Sequence, residues 1–184
     1  LKTVKHIKRI RFHTRLPVVL PERIDEELLN WLAELPFQII FVIHANHPNE
    51  LDDAFGLAIN KLKQIGVTIL NQSVLLKGVN DNPEVLIQLS ERLFEYGVLP
   101  YYLHLLDKVQ GAAHFEVDIV HAKELHIEIM KRLPRYLVPK LVLEIAGQPN
   151  KTPIIQQQAY FFGIVIISLR TSPVCSKQNR HSAY

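Results

Sequence analysis

The feature that most constrains the fold is a regular alternation of β-type and helical segments. Four segments carry apolar residues three or four positions apart, the spacing of one helix face, as at Leu51, Phe55, Ala58 and Leu62. Around them recur five apolar stretches rich in β-forming residues, namely residues 7–12, 38–44, 67–71, 99–105 and 141–145. Repeated βα units predict an α/β fold with a parallel sheet, either doubly wound or curled into a barrel.

Turn residues stand where the predicted helices should end or begin. Gly66 and Gly97 precede the third and fourth predicted strands, which is the place of a helix C-terminal cap. Asn82 before Pro83 has the form of an N-terminal cap followed by proline at the first helical position. We therefore expect a helix to end just before each glycine and another to begin at Pro83.

Polar side chains cluster where the predicted strands end. The second strand is followed by His44, Asn46 and His47, the third by Asn71 and Gln72, and the fourth by Asp107. In barrels and open α/β sheets, the carboxyl ends of the strands carry the chemistry. The pattern therefore predicts an enzyme-like site at this edge of the sheet, without specifying the reaction.

The first predicted strand has a basic face. A period of two places four basic side chains on one side of it: Arg9, Arg11, His13 and Arg15. Two interpretations stay open at this point. The face is either the solvated side of an edge strand or a site for phosphate or carboxylate inside a barrel.

Three further positions have a structural and a functional interpretation. The loop from His44 to Glu50 could bind a metal, but it lacks a third ligand, so capping of the next helix by Asn49 or its neighbours is favoured. Asp107 could receive a cationic substrate or cap the turn at residues 108–111. Lys151, in the turn-rich residues 147–153, is either solvated or a Schiff-base lysine held in place and partly desolvated.

Composition disfavours several function classes. The net charge of +3 comes mainly from the first residues, and no aromatic platform for stacking bases accompanies them, which disfavours nucleic-acid binding. Cys175 is the single cysteine, so the chain forms no internal disulfide and holds no complete iron–sulfur site, and a reducing, cytoplasmic location is expected. The longest apolar run, residues 159–169, is too short to cross a membrane as a helix.

Five segments carry a resemblance, in a fixed order and spacing. They are R-I-R-F-H-T-R-L-P-V-V-L-P-E-R-I (9–24), H-A-N-H-P-N-E (44–50), N-Q-S-V-L-L-K-G-V-N-D (71–81), P-Y-Y-L-H-L-L-D-K-V-Q-G-A-A-H-F (100–115) and P-N-K-T-P (149–153). Together they resemble the lysine 2,3-aminomutase family of radical S-adenosylmethionine enzymes. The resemblance implies a partial (β/α) barrel of the radical S-adenosylmethionine type over residues 1–154, with a divergent tail of unknown role over residues 155–184.

The resemblance also implies roles for individual residues. Lys151 matches the lysine that holds pyridoxal phosphate as a Schiff base. Asp107 and Glu144 match two acidic residues that bind the distal ammonium of the substrate lysine. Gln72 falls on a glutamine that contacts the cofactor, and His44 on a histidine near S-adenosylmethionine.

The implied reaction moves the amino group of L-lysine from C2 to C3 and gives β-lysine. Pyridoxal phosphate carries the migrating nitrogen, and S-adenosylmethionine with a [4Fe–4S] cluster supplies the initiating radical. The segment E-I-A-G-Q-P-N-K-T-P (144–153) resembles the bacterial branch that supplies β-lysine for elongation factor P. The resemblance thus implies the enzymes of that pathway as indirect partners. A homo-oligomer is left open, and neither nucleic acid nor membrane is expected as a partner.

The chain departs from the family pattern in two ways. The cluster motif C-x-x-x-C-x-x-C is absent, and since it lies upstream in the family, this chain is expected to be a C-terminal portion without radical turnover of its own. Residues 155–184 match neither branch. A free-lysine aminomutase of lysine catabolism and a non-catalytic fragment that at most binds pyridoxal phosphate stay open as alternatives. A Schiff-base lyase of the aldolase kind is disfavoured by the five segments.

Overall fold

Among the residues that the structure describes, six strands form one sheet whose spatial order is the order of the chain. The structure is a computed structural model, and it describes residues 6–107, 111–145 and 151–154. The strands are β1 (Arg9–Thr14), β2 (Gln38–Ile43), β3 (Thr68–Val74), β4 (Leu99–His104), β5 (Lys140–Leu143) and β6 (Thr152–Pro153). The helices are α1 (Leu16–Val19), α2 (Glu26–Ala33), α3 (Asp53–Gln64), α4 (Pro83–Glu95) and α5 (Ile119–Arg132).

The strand order decides between the two predicted architectures. Strands β1 to β5 are parallel, and each pairs with the next along the chain. A doubly wound sheet reverses its strand order at a switch point, whereas a (β/α) barrel adds each strand beside the last. The chain is therefore an α/β protein with the architecture of a partial (β/α) barrel. Strand β6 then adds to β5 in the antiparallel direction.

The core lies between the sheet and its helices, in two clusters that share one helix. The first cluster packs α2 and α3 against the early strands around Phe55, Ile59 and Leu62. The second packs α5 against β4 and β5 around Ile129 and Leu103. Helix α4 contributes to both clusters. Its residues Leu89 and Leu93 pack in the first cluster, and Leu86 and Ile87 pack in the second. Each fully buried side chain of this size contributes about 1.5–3 kcal/mol.

The predicted helix ends are confirmed. The Asn82 side chain accepts a hydrogen bond from the backbone N–H of Glu84 at 2.8 Å, with Pro83 at the first helical position. Asp52 caps α3 in the same way, by accepting from the N–H of Phe55. Gly66 follows α3 and Gly97 follows α4, and each glycine has a φ of +81°. Glycine adopts this left-handed conformation with less strain than any other residue.

Some boundaries differ from the sequence-based expectation. Strand β3 extends to Val74, so Asn71 and Gln72 lie within it and do not follow it. Strand β1 ends at Thr14, so Arg15 does not belong to its basic face. The short strand β6 was not predicted at all.

Several sequence-based predictions fall outside the described residues. They concern Cys175 and the rest of residues 155–184, and most of the turn after Asp107, residues 108–110. Within the part of the chain that the structure describes, none of the helices has the length and hydrophobicity that would let it span a membrane.

Candidate functional site

The loop after β2 is fixed by three buried or half-buried amide side chains. Asn71 accepts a hydrogen bond from the N–H of Ala45 at 2.9 Å and donates one to its carbonyl oxygen at 3.1 Å. Asn80, fully buried, donates to the carbonyl oxygens of Asn46 and Val74. The Asn46 side chain accepts in turn from the N–H of Val74 at 2.9 Å. These bonds join the ends of β2 and β3, so the loop bearing His44 is anchored on both sides.

Glu50 ties the same loop to the end of β1. One carboxylate oxygen accepts from the N–H of Asn46 at 2.6 Å and from that of His47 at 2.9 Å. The other accepts from the guanidinium of Arg15 at 2.6 Å. Arg15 therefore has a structural partner, which removes it from the proposed basic binding face. Arg9, Arg11 and His13 remain on that face, all three exposed.

The favoured interpretation, that this region caps the helix after it, is confirmed. The capping side chains are His47, for a 3-10 turn, and Asp52, for α3, and not Asn49. The Nδ1 atom of His47 accepts from the N–H of Asn49 at 3.2 Å, at the start of a 3-10 turn over Pro48–Glu50. Across the described ranges, His, Cys, Asp and Glu side chains form no group of three or more that could hold a metal ion.

Strand β6 brings Lys151 to the end of β4. Thr152 of β6 pairs with Leu143 of β5. The preceding residue of β5, Val142, pairs with His104 of β4. The Lys151 Nζ atom lies 2.8 Å from Nε2 of His104 and 5.3 Å from the centre of the Tyr102 ring. A lysine from a predicted loop is therefore held by two side chains distant from it in sequence.

The site occupies the face of the sheet that points away from the helices. Leu103 packs in the second core cluster, so its neighbours Tyr102 and His104 point to the opposite face. Gln72 is the register partner of Tyr102 on β3. This face thus carries Gln72, Tyr102 and His104 together, with Lys151 above them.

Burial and positive charge lower the pKa of the three histidines on this face. Burial is the larger cause that lowers the pKa of His104 from 6.5 to about 4, and the Lys151 charge adds to it, while Asp107 opposes the shift. Burial also lowers the pKa of His13 and of His44, whose ring centroids lie 6.2 Å apart, and Lys151 contributes to both shifts. The shared dependence places Lys151 within electrostatic reach of all three imidazoles.

Gln72 carries an unpaired buried oxygen. Its Oε1 atom is inaccessible to solvent and has no hydrogen-bond partner among the described residues. A buried acceptor without a donor costs about 1–3 kcal/mol, so such atoms are rare in folded proteins. Gln72 therefore presents an acceptor that a bound donor would satisfy.

The two predicted substrate carboxylates lie at the rim of the site. Asp107 follows β4 by three residues, is exposed, and is near enough to act on the pKa of His104. Glu144 directly follows β5 and is exposed. The structure brings Lys151, Gln72 and His44 to one face and leaves the two acids at its solvent edge.

Sequence reasoning missed two residues of this site, His104 and Tyr102. Both stood within the apolar segment of β4, where they read as strand residues. Their alternation with Leu103 was the available signal, because a period of two sends them to the face opposite the core.

Comparisons with known proteins test the resemblance directly. The L-lysine 2,3-aminomutase of Haemophilus influenzae is 54% identical over 152 residues, and that of Escherichia coli is 53% identical over 154 residues. The L-lysine 2,3-aminomutase of Clostridium subterminale is 36% identical over 155 residues. The chain belongs to the L-lysine 2,3-aminomutase family. The predicted resemblance is thereby confirmed.

The match covers most of this chain and less than half of its relatives. The aligned residues make up 83% and 84% of the chain but 45% of the Haemophilus and of the Escherichia protein. No protein-family model matches the chain. Among solved structures, a radical SAM methyltransferase from Sphaerobacter thermophilus reaches a TM-score of 0.48 at 16% identity, over 64% of this chain and 37% of that one. A likeness of that degree adds nothing to the family relationship.

Proposed function

We propose that this chain provides the pyridoxal phosphate and substrate-binding part of an L-lysine 2,3-aminomutase, which moves the amino group of L-lysine from C2 to C3. The observation that carries the proposal is the placement of Lys151 Nζ, 2.8 Å from His104 at the carboxyl end of β4. A nucleophilic lysine must be held at a fixed point and partly removed from water, and this one meets both requirements. The identity to L-lysine 2,3-aminomutases supports the choice of reaction.

The residues of the site fit pyridoxal phosphate. Gln72 presents a buried acceptor that needs a donor, and the hydroxyl or the protonated ring nitrogen of the cofactor is such a donor. Tyr102, half-buried beside Lys151, offers an aromatic face to a planar ring. When bound, the cofactor supplies a carbonyl carbon for covalent attachment and a conjugated ring that delocalises electrons.

The chain's own residues would divide the work as follows. Lys151 would hold pyridoxal phosphate covalently through its Nζ atom. Asp107 and Glu144 bind the distal ammonium of L-lysine from the rim of the face, and so favour lysine over amino acids with neutral side chains. His44, whose pKa burial lowers, lies on the same face and would be a polar contact for S-adenosylmethionine.

The residues of this chain do not fit a [4Fe–4S] cluster. Such a cluster takes several thiolates, and the chain has one cysteine. We therefore assign no step of radical formation to this chain, and the thiolates would come from residues that it does not contain. The isomerisation is proposed for the complete protein.

Two observations favour the branch that serves elongation factor P. Glu144 stands where free-lysine enzymes usually carry aspartate, and the segment from Glu144 to Pro153 lacks their glycine run. The relatives from Haemophilus and Escherichia, at 54% and 53% identity, exceed the Clostridium protein at 36%. On this proposal β-lysine is made for attachment to elongation factor P.

The experiment is reductive trapping of the lysine. The chain is incubated with pyridoxal phosphate near neutral pH and reduced with borohydride, and the labelled residue is identified by peptide mass mapping. We expect the label on Lys151. Lys63, an exposed lysine bonded to the carbonyl oxygen of Tyr96, serves as the internal control for non-specific labelling. Label spread evenly over surface lysines, with Lys151 no more reactive than Lys63, would overturn the proposal.

A further inference from the structure

The contact between Lys151 and His104 joins residues 47 positions apart in the sequence. His104 is 7% exposed, so its ring is held by the strands around it. A lysine loses about 2 kcal/mol of rotational freedom when its side chain is fixed, and most surface lysines therefore stay mobile. Here β6 supplies the fixation by pairing Thr152, the residue next to Lys151, with Leu143.

The charge state of His104 determines what the contact does. The lowered pKa of His104, about 4, leaves the imidazole neutral at physiological pH. An ammonium has donors only, so when Lys151 is in that form Nε2 of the neutral His104 accepts and its Nδ1 carries the hydrogen. The other titratable and charged groups that act on His104 are Asp107 and His44, and neither replaces Lys151 as the partner of Nε2.

A neutral acceptor suits a lysine that must act as a nucleophile. A carboxylate in the place of His104 would bind Lys151 more strongly, but it would stabilise the ammonium form, which has no lone pair for attack on a carbonyl carbon. An imidazole holds the same atom without adding a negative charge. The type of residue found at the end of β4 thus matches the requirement of the reaction.

We propose that His104 is a positioning residue for Lys151, which fixes its Nζ atom by accepting a hydrogen bond and so speeds covalent attachment of pyridoxal phosphate. The inference rests on the proposed function of Lys151. It adds a residue and a role that neither the residue pattern nor the family relationship assigns.

The first arm of the test needs no cofactor. Titration of the His104 ring is followed by NMR in the wild-type chain and in Lys151→Met. Because the Lys151 charge contributes to the lowered pKa of His104, its removal should raise that pKa from about 4. His126, buried on α5 and bonded to the carbonyl oxygen of Pro139, is the control histidine, whose titration should not move. An unchanged His104 titration in Lys151→Met would overturn the inference.

The second arm measures the rate of trapping. His104→Phe keeps a ring but removes the acceptor, and His104→Gln keeps an acceptor. We expect His104→Phe to slow labelling of Lys151 about fivefold, the effect of one hydrogen bond, and His104→Gln to recover part of the rate. Labelling of Lys63 should be the same in all three chains, and circular dichroism checks that each is folded.

The outcomes separate the inference from the function it rests on. Label on Lys151 in the wild type at a rate that both His104 variants share would overturn the positioning role and leave the proposed function standing. Absence of label on Lys151 in the wild type would overturn both. If His104→Phe fails to fold, two measurements still test the positioning role. They are the trapping rate of His104→Gln against the wild type and the His104 titration in Lys151→Met.

Discussion

At the scale of single residues, the site is defined by polar atoms that the fold holds away from water. His104 is buried yet neutral, and Gln72 keeps an unpaired buried oxygen. Arrangements of this kind reduce stability and are retained at functional sites more often than elsewhere. These atoms mark the face opposite the core as the candidate binding face.

The lowered pKa of His104 predicts a loss of stability in acid. The folded pKa, about 4, lies below the ordinary value of 6.5, so the unfolded chain binds more protons between these pH values. The stability is fully present above pH 6.5 and is lost as the pH falls through about 4, by at most about 3 kcal/mol. His104→Gln should flatten this part of a plot of unfolding free energy against pH, measured by urea denaturation.

The matched control for this prediction is His121→Gln. His121 is half exposed on α5 and lies near Glu124 at 3.8 Å. The replacement removes an exposed imidazole and leaves the buried one of His104 in place. An equal flattening in both variants would show that His104 is not the group responsible.

The two rim carboxylates give a second residue-scale prediction, which depends on the proposed function. Asp107→Asn and Glu144→Gln should each weaken binding of L-lysine, measured by calorimetry on the complete protein, and leave binding of L-norleucine unchanged. Both carboxylates are exposed and screened by water, so the expected loss is about two- to tenfold for each and not that of a buried ion pair. Equal losses for both ligands would contradict a role in ammonium recognition.

At the scale of elements, helices α2 to α5 and strands β1 to β5 follow from the sequence, because each has a local signal. Helix α4 has its Asn82 cap, its proline and its apolar spacing within one stretch. The bounds of β3 differ from the prediction at Asn71 and Gln72, because polar residues usually follow a buried strand and here lie within it. In β3 the Asn71 side chain is instead satisfied by the backbone of Ala45.

Strand β6 could not be predicted, because it has no pattern of its own. It is two residues long and exists through pairing of Pro153 with Val142 and of Thr152 with Leu143. The contact of Lys151 with His104 depends on that pairing, and so the most informative geometry of the site is a tertiary property. The family resemblance predicts Lys151 as the Schiff-base lysine, and the structure places His104 and Tyr102 beside it.

The cap of α4 yields a prediction at this scale. Asn82→Ala removes the acceptor for the N–H of Glu84 and should lower the free energy of unfolding by about 1 kcal/mol in urea denaturation. Asn82→Asp retains a capping oxygen and should restore most of the loss. A further control is Asn49→Ala, at an exposed residue whose side chain caps none of the described helices. Equal stability of all three variants would argue against the cap.

At the scale of the whole molecule, the sheet and the shared helix join two cores into one unit. Leu93 and Leu89 belong to the first cluster, and Leu86 and Ile87, one turn away on the same helix, belong to the second. A helix cannot leave one cluster while it stays packed in the other. The five parallel strands impose the same coupling through their hydrogen bonds. We therefore expect the residues of both clusters to unfold together.

A substitution that destabilises one cluster should then shift the unfolding midpoint of the other cluster by the same amount. Leu125→Ala opens a cavity in the second cluster, where this leucine is 5% exposed, and should destabilise the chain by about 2–5 kcal/mol. Trp31, the single tryptophan, lies on the side of the first cluster, with its ring 6.2 Å from that of Phe12. Its fluorescence should report the full shift of the urea midpoint, in step with far-ultraviolet circular dichroism.

Leu57→Ala, at a 66% exposed position of α3, should shift neither signal. A Trp31 midpoint that stays in place in Leu125→Ala, while circular dichroism shows two transitions, would mean that the two clusters fold independently.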